Sequence, residues 1–398
     1  MRVALYHDLP QGGALRFVQE TLKRSSQTHH YDVYRDSEAS RELDGIVPSH
    51  NIDVHDVHTA ASPARPRGPG ALGTARDLIE SWRAEAEIAR QIDAAGHDVC
   101  LVHPSRLTHA PSLLARLHTR SIYYAHEPRR IGVEAPLRRN VFTSLPPLNR
   151  AALYAGDKVL QALDNRAVAA ADVLACNSVF TSEALFRIYG RSATLIPPGV
   201  DSDVFRPSTA GRESFVLSVG GLTPLKGHAM VIEALGLLPK HVRPSLRVAY
   251  GRGSLHAGFA RNGFRYEDTL LALAARHGVD LHLHEAVTDS QLVDLYSAAR
   301  ATICAARLEP FGLTPLESLS CGTPVVAISE GGFRESISHM RNGLLVPPSR
   351  EGVAEGVQAI IDGRLTANRD ELRSCVADRT WDRTVERLHR LFDAVAGA

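Results

Sequence analysis

Long apolar runs are missing from this chain of 398 residues. None reaches the ~18 residues that a membrane-crossing helix needs. Charge of one sign is missing as well. Lys and Arg number 45 against 44 Asp and Glu, a formal net charge of +1. No overall field therefore draws the chain to nucleic acid or to an anionic bilayer. Cysteine is scarce: Cys100, Cys176, Cys304, Cys321 and Cys375 are scattered and odd in number, and no pair has metal-ligand spacing. That excludes a disulfide framework or a zinc cluster and points to free thiols in a reducing compartment. A signal peptide is not expected either, because Met1 to Tyr6 reads as a strand, too short and too polar-flanked for one. The expected location is cytoplasmic. A complete Gly-x-Gly-x-x-Gly is lacking too; Gly251-Arg252-Gly253 is only a fragment of it, which argues against a dehydrogenase.

What remains is 44% hydrophobic and 22% charged, an ordinary soluble composition. At ~150 residues per domain the length suggests two domains. Strand-like and helix-like segments alternate through most of the chain, so two doubly wound parallel sheets are expected. The breaker-rich stretch Pro197-Pro198-Gly199-Val200-Asp201 is the expected boundary. Asp201 and Asp203 could hold a cation, but they lie in a linker without a second ligand cluster, and a turn is the expected role. In the first half, Gly12-Gly13 stands between a strand and a helix, as a phosphate-facing loop would. His126 follows the strand Ser121 to Ala125, where parallel sheets carry ligands. Arg129-Arg130 and Arg138-Arg139 suggest a local basic patch. Ser62 to Gly73 reads as a loop, and so does Ile131 to Asn149.

The densest polar constellation lies between Arg307 and Ala327. Glu309 and Glu317 are separated by seven residues, with Phe311-Gly312-Leu313-Thr314-Pro315 between them. Thr314 suits a helix N-cap, Pro315 the first helical position, and Glu317 stands three residues past that cap. A helix start there aims bare N–H groups at an anion. The same spacing also fits a capping box, in which Glu317 serves only the backbone. Lys226, near another helix start, opposes the macrodipole unless an anion sits beside it.

These residues carry a resemblance. Glu309 and Glu317 in their setting, Gly220-x-Leu-x-x-x-Lys226-Gly227, Cys321-Gly-Thr-Pro-Val-Val326, Gly331-Gly-x-x-Glu335 and Gly343-Leu-Leu-Val-Pro347 resemble a retaining glycosyltransferase of the family 4 type. The first half matches more loosely, through Gly12-Gly13, His126-Glu-Pro-Arg129 and Asn177-Ser178. The resemblance implies the α/β GT-B fold: two Rossmann-like doubly wound domains, 1–200 and 201–379, facing across a cleft, with 380–398 crossing back to the first. It implies a nucleoside-diphosphate sugar as donor and a small-molecule, glycan or lipid-linked acceptor. No cofactor and no metal would be required, and no nucleic acid is involved. Lys226 would contact the diphosphate and Glu309 the transferred sugar. The N–H groups of Phe311, Gly312, Leu313 and Thr314 would bind sugar hydroxyls or phosphate, and Glu317 the ribose. His126 would reach the sugar, Gly12 and Gly13 would admit the donor, and Arg252 and Val287 would border the base. One position departs from the pattern: Gly221 stands where the family commonly has an arginine that shares the diphosphate with the lysine. Arg252 and Arg129 are candidates to replace it. An epimerase on the same scaffold and a non-catalytic nucleotide-sugar binder are the rival readings. The segment 129–150 is a candidate for peripheral contact with the inner membrane face.

Overall fold

The computed structural model describes residues 1–10, 12–25, 28–36, 51–57, 71–105, 107–130, 134, 147–251 and 265–397. The expectations placed on Arg252, on Arg138 and Arg139, on the loop 62–70 and on 131–146 apart from Glu134 lie outside these residues. The chain divides into two compact units, Met1–Pro197 with Thr384–Ala398, and Pro198–Arg383.

The first unit is built on strands β1 (Arg2–His7), β2 (His30–Asp36), β3 (Ile52–Val57), β4 (Val99–Val102), β5 (Ser121–Ala125), β6 (Val173–Cys176) and β7 (Thr194–Leu195). They form one sheet in the order β3-β2-β1-β4-β5-β6-β7, and every pairing is parallel. Val3, Ala4 and Leu5 are wholly buried in succession. Burial on both faces is what a parallel strand covered by helices on each side demands. The covering helices are α1 (Gly13–Ser25), α2 (Ala71–Ala95), α3 (Pro147–Ala170) and α4 (Val179–Tyr189). Two expected loops are shorter than their sequence suggests, because residues 71–73 and 147–149 are already helical.

The second unit carries β8 (Phe215–Val219), β9 (Ser245–Tyr250), β10 (Leu281–Glu285), β11 (Ala301–Cys304), β12 (Val325–Ile328) and β13 (Gly343–Val346). Their order is β10-β9-β8-β11-β12-β13, again wholly parallel. Helices α5 (His228–Leu237), α6 (Tyr266–His277), α7 (Asp289–Ala298), α8 (Leu313–Ser320), α9 (Phe333–Ser336), α10 (Arg350–Ile361) and α11 (Arg369–Ser374) complete it. Helix α12 (Trp381–Ala396) begins in the second unit and continues into the first. Asp201 serves as the expected turn residue: its Oδ1 accepts from the N–H groups of Asp203 and Val204, each at 3.2 Å.

Each sheet reverses its winding once, between β1 and β4 and between β8 and β11. Ligands of open parallel sheets gather beyond the carboxyl ends of the strands at such a reversal. His7 and His103 sit there in the first unit, and Gly220 and Ala305 in the second.

Candidate active site

The turn after β8 is shaped by two glycines that face different constraints. Gly220 has φ 149°, and a Cβ there would press on the Lys226 side chain at 3.3 Å. Gly227 has φ 76°, and its Cβ would lie 2.2 Å from the Ala305 carbonyl oxygen. Between them Pro224–Lys226 forms a single 3-10 turn that leads into α5. His228 braces the turn from below. Its Nε2 faces the carbonyl oxygens of Gly220 and Gly221, each at 3.3 Å, and its Nδ1 lies 2.9 Å from Ser218 Oγ. Two carbonyls can only accept, so Nε2 carries the proton and Nδ1 takes the serine hydroxyl. Burial lowers the His228 pKa to about 4, so the ring is neutral.

Lys226 Nζ lies 2.8 Å from Glu309 Oε2, and both groups are half-buried. The segment bearing Glu309 is fixed on two sides. Arg307 pairs with Glu330 through two 2.8 Å bonds, Nε to Oε2 and Nη2 to Oε1. Gly332 donates its N–H to the Glu309 carbonyl oxygen at 2.8 Å. Gly331 has φ 59°, and a Cβ there would fall 2.3 Å from the same oxygen. Leu308 is held at φ 51°, a left-handed conformation that costs a branched residue ~1 kcal/mol or more. The pinning contacts around it offset that cost.

The second glutamate departs from expectation. Helix α8 starts at Leu313, with Gly312 at φ 84° as its N-cap and no side-chain cap. Thr314 is therefore the second helical residue, not the cap. Glu317 is not three residues past a cap, so the capping box does not form. The cause is Gly312, whose backbone turns into the helix at a point where a Cβ would meet the Phe333 ring at 2.7 Å. Glu317 Oε2 instead accepts from the Tyr296 hydroxyl at 2.8 Å, in a buried setting. With no side chain capping it, the first turn of α8 keeps its backbone donors for an anion or a hydroxyl. Phe311 is buried, whereas Leu313 and Thr314 stay partly exposed at that turn. Val287 follows β10 as a partly buried residue, next to Ala286 at φ 53°.

In the first unit, Gly12 has φ 146° with open space where a Cβ would stand, and Gly13 opens α1. His126 caps the end of β5. Its Nε2 lies 3.1 Å from His103 Nδ1, and its carbonyl oxygen accepts from Asn177 Nδ2 at 2.7 Å. Burial lowers its pKa to about 3. Arg129 and Arg130 do not form the expected patch. Arg129 is buried, with Nε 2.8 Å from Asp164 Oδ2 and Nη2 3.2 Å from the Leu107 carbonyl. Arg130 is buried against Glu127 and Glu134. Arg129 is thus committed to partners within its own unit.

The structure brings Lys226, Glu309 and the first turn of α8 into one unit, with Glu317 on the same helix. His103, His228, Tyr296 and the Arg307–Glu330 pair escape the sequence reading. A His directly after β4, as His126 is directly after β5, was the one signal that could have found His103.

Two doubly wound parallel sheets with this strand order define the GT-B fold. Sucrose-phosphate synthase from Thermosynechococcus elongatus superposes with a TM-score of 0.75 at 18% identity, covering 99% of this chain and 98% of that one. The Anabaena HepE structure in complex with UDP and glucose gives 0.70 at 19% identity, covering 99% of both chains. Residues 201–374 match the family model described as glycosyl transferases group 1. The D-inositol 3-phosphate glycosyltransferase of Acidothermus cellulolyticus is 34% identical over 294 residues, which is 66% of this chain and 62% of that protein. The chain spans about half the length of further curated relatives, 53% and 49% in two cases. Among the described residues no helix is long and apolar enough to cross a membrane.

Proposed function

We propose that this chain is a retaining glycosyltransferase, moving a sugar from a nucleoside-diphosphate sugar to an acceptor hydroxyl or amine without a metal. The observation that carries this reading is the Lys226–Glu309 pair at 2.8 Å, on the same unit as the uncapped start of α8. Lys226 and the α8 N–H groups supply positive potential for a diphosphate leaving group, where charge develops in the transition state. Glu309 is the transferred sugar's partner, and it holds Lys226 in place until a donor arrives. Glu317 is assigned to the ribose. Its Oε2 is engaged by Tyr296, so it is not a covalent nucleophile. His126, Gly12 and Gly13 are the first unit's contribution to donor and sugar, and Val287 borders the base. With Arg129 and Arg130 buried, the candidate membrane contact narrows to the remainder of the segment 129–150.

The test is acceptor-dependent release of nucleoside diphosphate. Glu309→Ala and Lys226→Ala should each lower it at least a hundredfold, about 2.7 kcal/mol of lost transition-state stabilisation. Wild-type rates in both variants would overturn the assignment. The relative's name makes a phosphorylated cyclitol the first acceptor to try. A thermal-shift panel of GDP, UDP and TDP identifies the donor class. Binding without turnover on any acceptor would leave a nucleotide-sugar-binding protein instead.

A further inference from the structure

His103 is a buried titratable group that the proposed function does not use. It is wholly inaccessible to solvent. Its ring packs against Phe17, at 5.7 Å between centroids, and against Tyr124, at 5.6 Å. The Tyr124 hydroxyl is committed to the Ile196 carbonyl at 2.7 Å and offers His103 nothing. The planes of His103 and His126 lie within 24° of each other with centroids 5.2 Å apart. Nearly coplanar rings at that spacing meet edge to edge, as an in-plane N–H···N bond requires, and the Nδ1 to Nε2 distance is 3.1 Å.

Burial lowers the pKa of both rings, with each also feeling other charges nearby. Both imidazoles are therefore neutral, and one proton lies between the two facing nitrogens. Its owner follows from the far side of His103. No acceptor reaches His103 Nε2 among the described residues. Buried donors left without an acceptor are rarer than acceptors left without a donor. His103 thus keeps its proton on Nδ1 and leaves Nε2 bare.

We propose that His103 is a positioning residue that donates from Nδ1 to His126 Nε2 and so fixes His126 as the Nδ1–H tautomer, an N–H donor for a sugar hydroxyl. The opposite tautomer would present a lone pair at that point and would suit a base or a bound cation. His126 Nε2 is spent on His103, so Nδ1 is the nitrogen left for a ligand. The proposal rests on the reading that His126 touches the sugar.

Two-bond proton–nitrogen spectra of the full chain, labelled at histidine, test it. His126→Asn identifies the His126 signals. Wild-type protein should show His126 protonated on Nδ1. His103→Asn, whose amide can place a donor near the old Nδ1, should preserve that tautomer. His103→Phe should convert it to Nε2–H. In kinetics, His103→Phe should lower kcat about tenfold or more with the donor KM within about threefold, and His103→Asn should recover most of the loss. A wild-type His126 protonated on Nε2 overturns the proposal, so the test survives a His103→Phe chain that does not fold. An unchanged tautomer in a folded His103→Phe overturns it as well. If the tautomer behaves as expected while His126→Asn transfers sugar at the wild-type rate, the assignment of His126 to the sugar is what fails.

Discussion

Gly221 is the residue at which this chain parts from the family pattern. Of the pair after β8, Gly220 takes a left-handed φ of 149°, and Gly221 is not among the residues of positive φ. No left-handed φ therefore opposes an arginine at 221. Its carbonyl already serves His228, a bond that a side chain does not disturb. A restored guanidinium should add a charge-assisted hydrogen bond, generally worth about 1.5–3 kcal/mol. We expect Gly221→Arg to bind the preferred nucleoside diphosphate about tenfold tighter or more in a calorimetric titration. An unchanged affinity would mean that position 221 does not face the diphosphate. The Lys226–Glu309 pair was legible as two separate candidates, since a lysine at a helix start and a loop glutamate each lack a local reason. Their pairing was not legible, because it joins residues on two different strand-end loops.

At the scale of elements, the Glu309 loop depends on the turn opposite it. Gly331 supplies a left-handed backbone and clearance over the Glu309 carbonyl. Gly331→Ala should destabilise the second unit by roughly 1–3 kcal/mol. It should also weaken nucleoside-diphosphate binding, since the loop must shift before a methyl group fits. Urea denaturation together with a binding titration checks this; a stable variant with normal affinity would show that the loop needs no such clearance. The same scale explains what the sequence concealed. Thr314-Pro315-x-Glu317 has the local chemistry of a capped helix start, but Gly312 begins the helix earlier and Tyr296 takes the glutamate. Strand β3 escaped because Asp53, His55 and Asp56 interrupt its apolar pattern. Those polar groups have partners, however: His55 Nε2 lies 2.8 Å from Asp32 Oδ1 and Arg35 Nε 2.7 Å from Asp56 Oδ1. Helices α6 and α11 were also missed, whereas β5, short and mostly apolar, was read to the residue.

For the whole molecule, acid should act in two stages. Burial lowers the pKa values of His228 and His126 to about 4 and about 3, against about 6.5 unfolded. Between those values the unfolded chain binds more protons, so the stability they contribute is full above pH ~6.5 and is lost as pH falls. Asp32 behaves differently. Burial alone would raise its pKa, but hydrogen bonds from His55, His97 and Arg2 overcome this and hold it at about 2. Its contribution is present above ~3.9 and is lost as pH falls toward about 2. Denaturant titrations at pH 7, 5 and 3 should show a first loss that His228→Asn and His126→Asn flatten, and a second that Asp32→Asn flattens. A first loss of equal size in the histidine variants would assign it elsewhere.

Helix α12 has a bearing on how the protein is made. Leu388, Phe392 and Val395 are buried, and His389 Nε2 lies 3.0 Å from Ser25 Oγ on α1. The first unit is thus completed by residues synthesised after the second unit. A ribosome that has released everything through Pro197 has delivered every strand of the first sheet, yet the cover over α1 is still unmade. Translation must run through the entire second unit before the first can close.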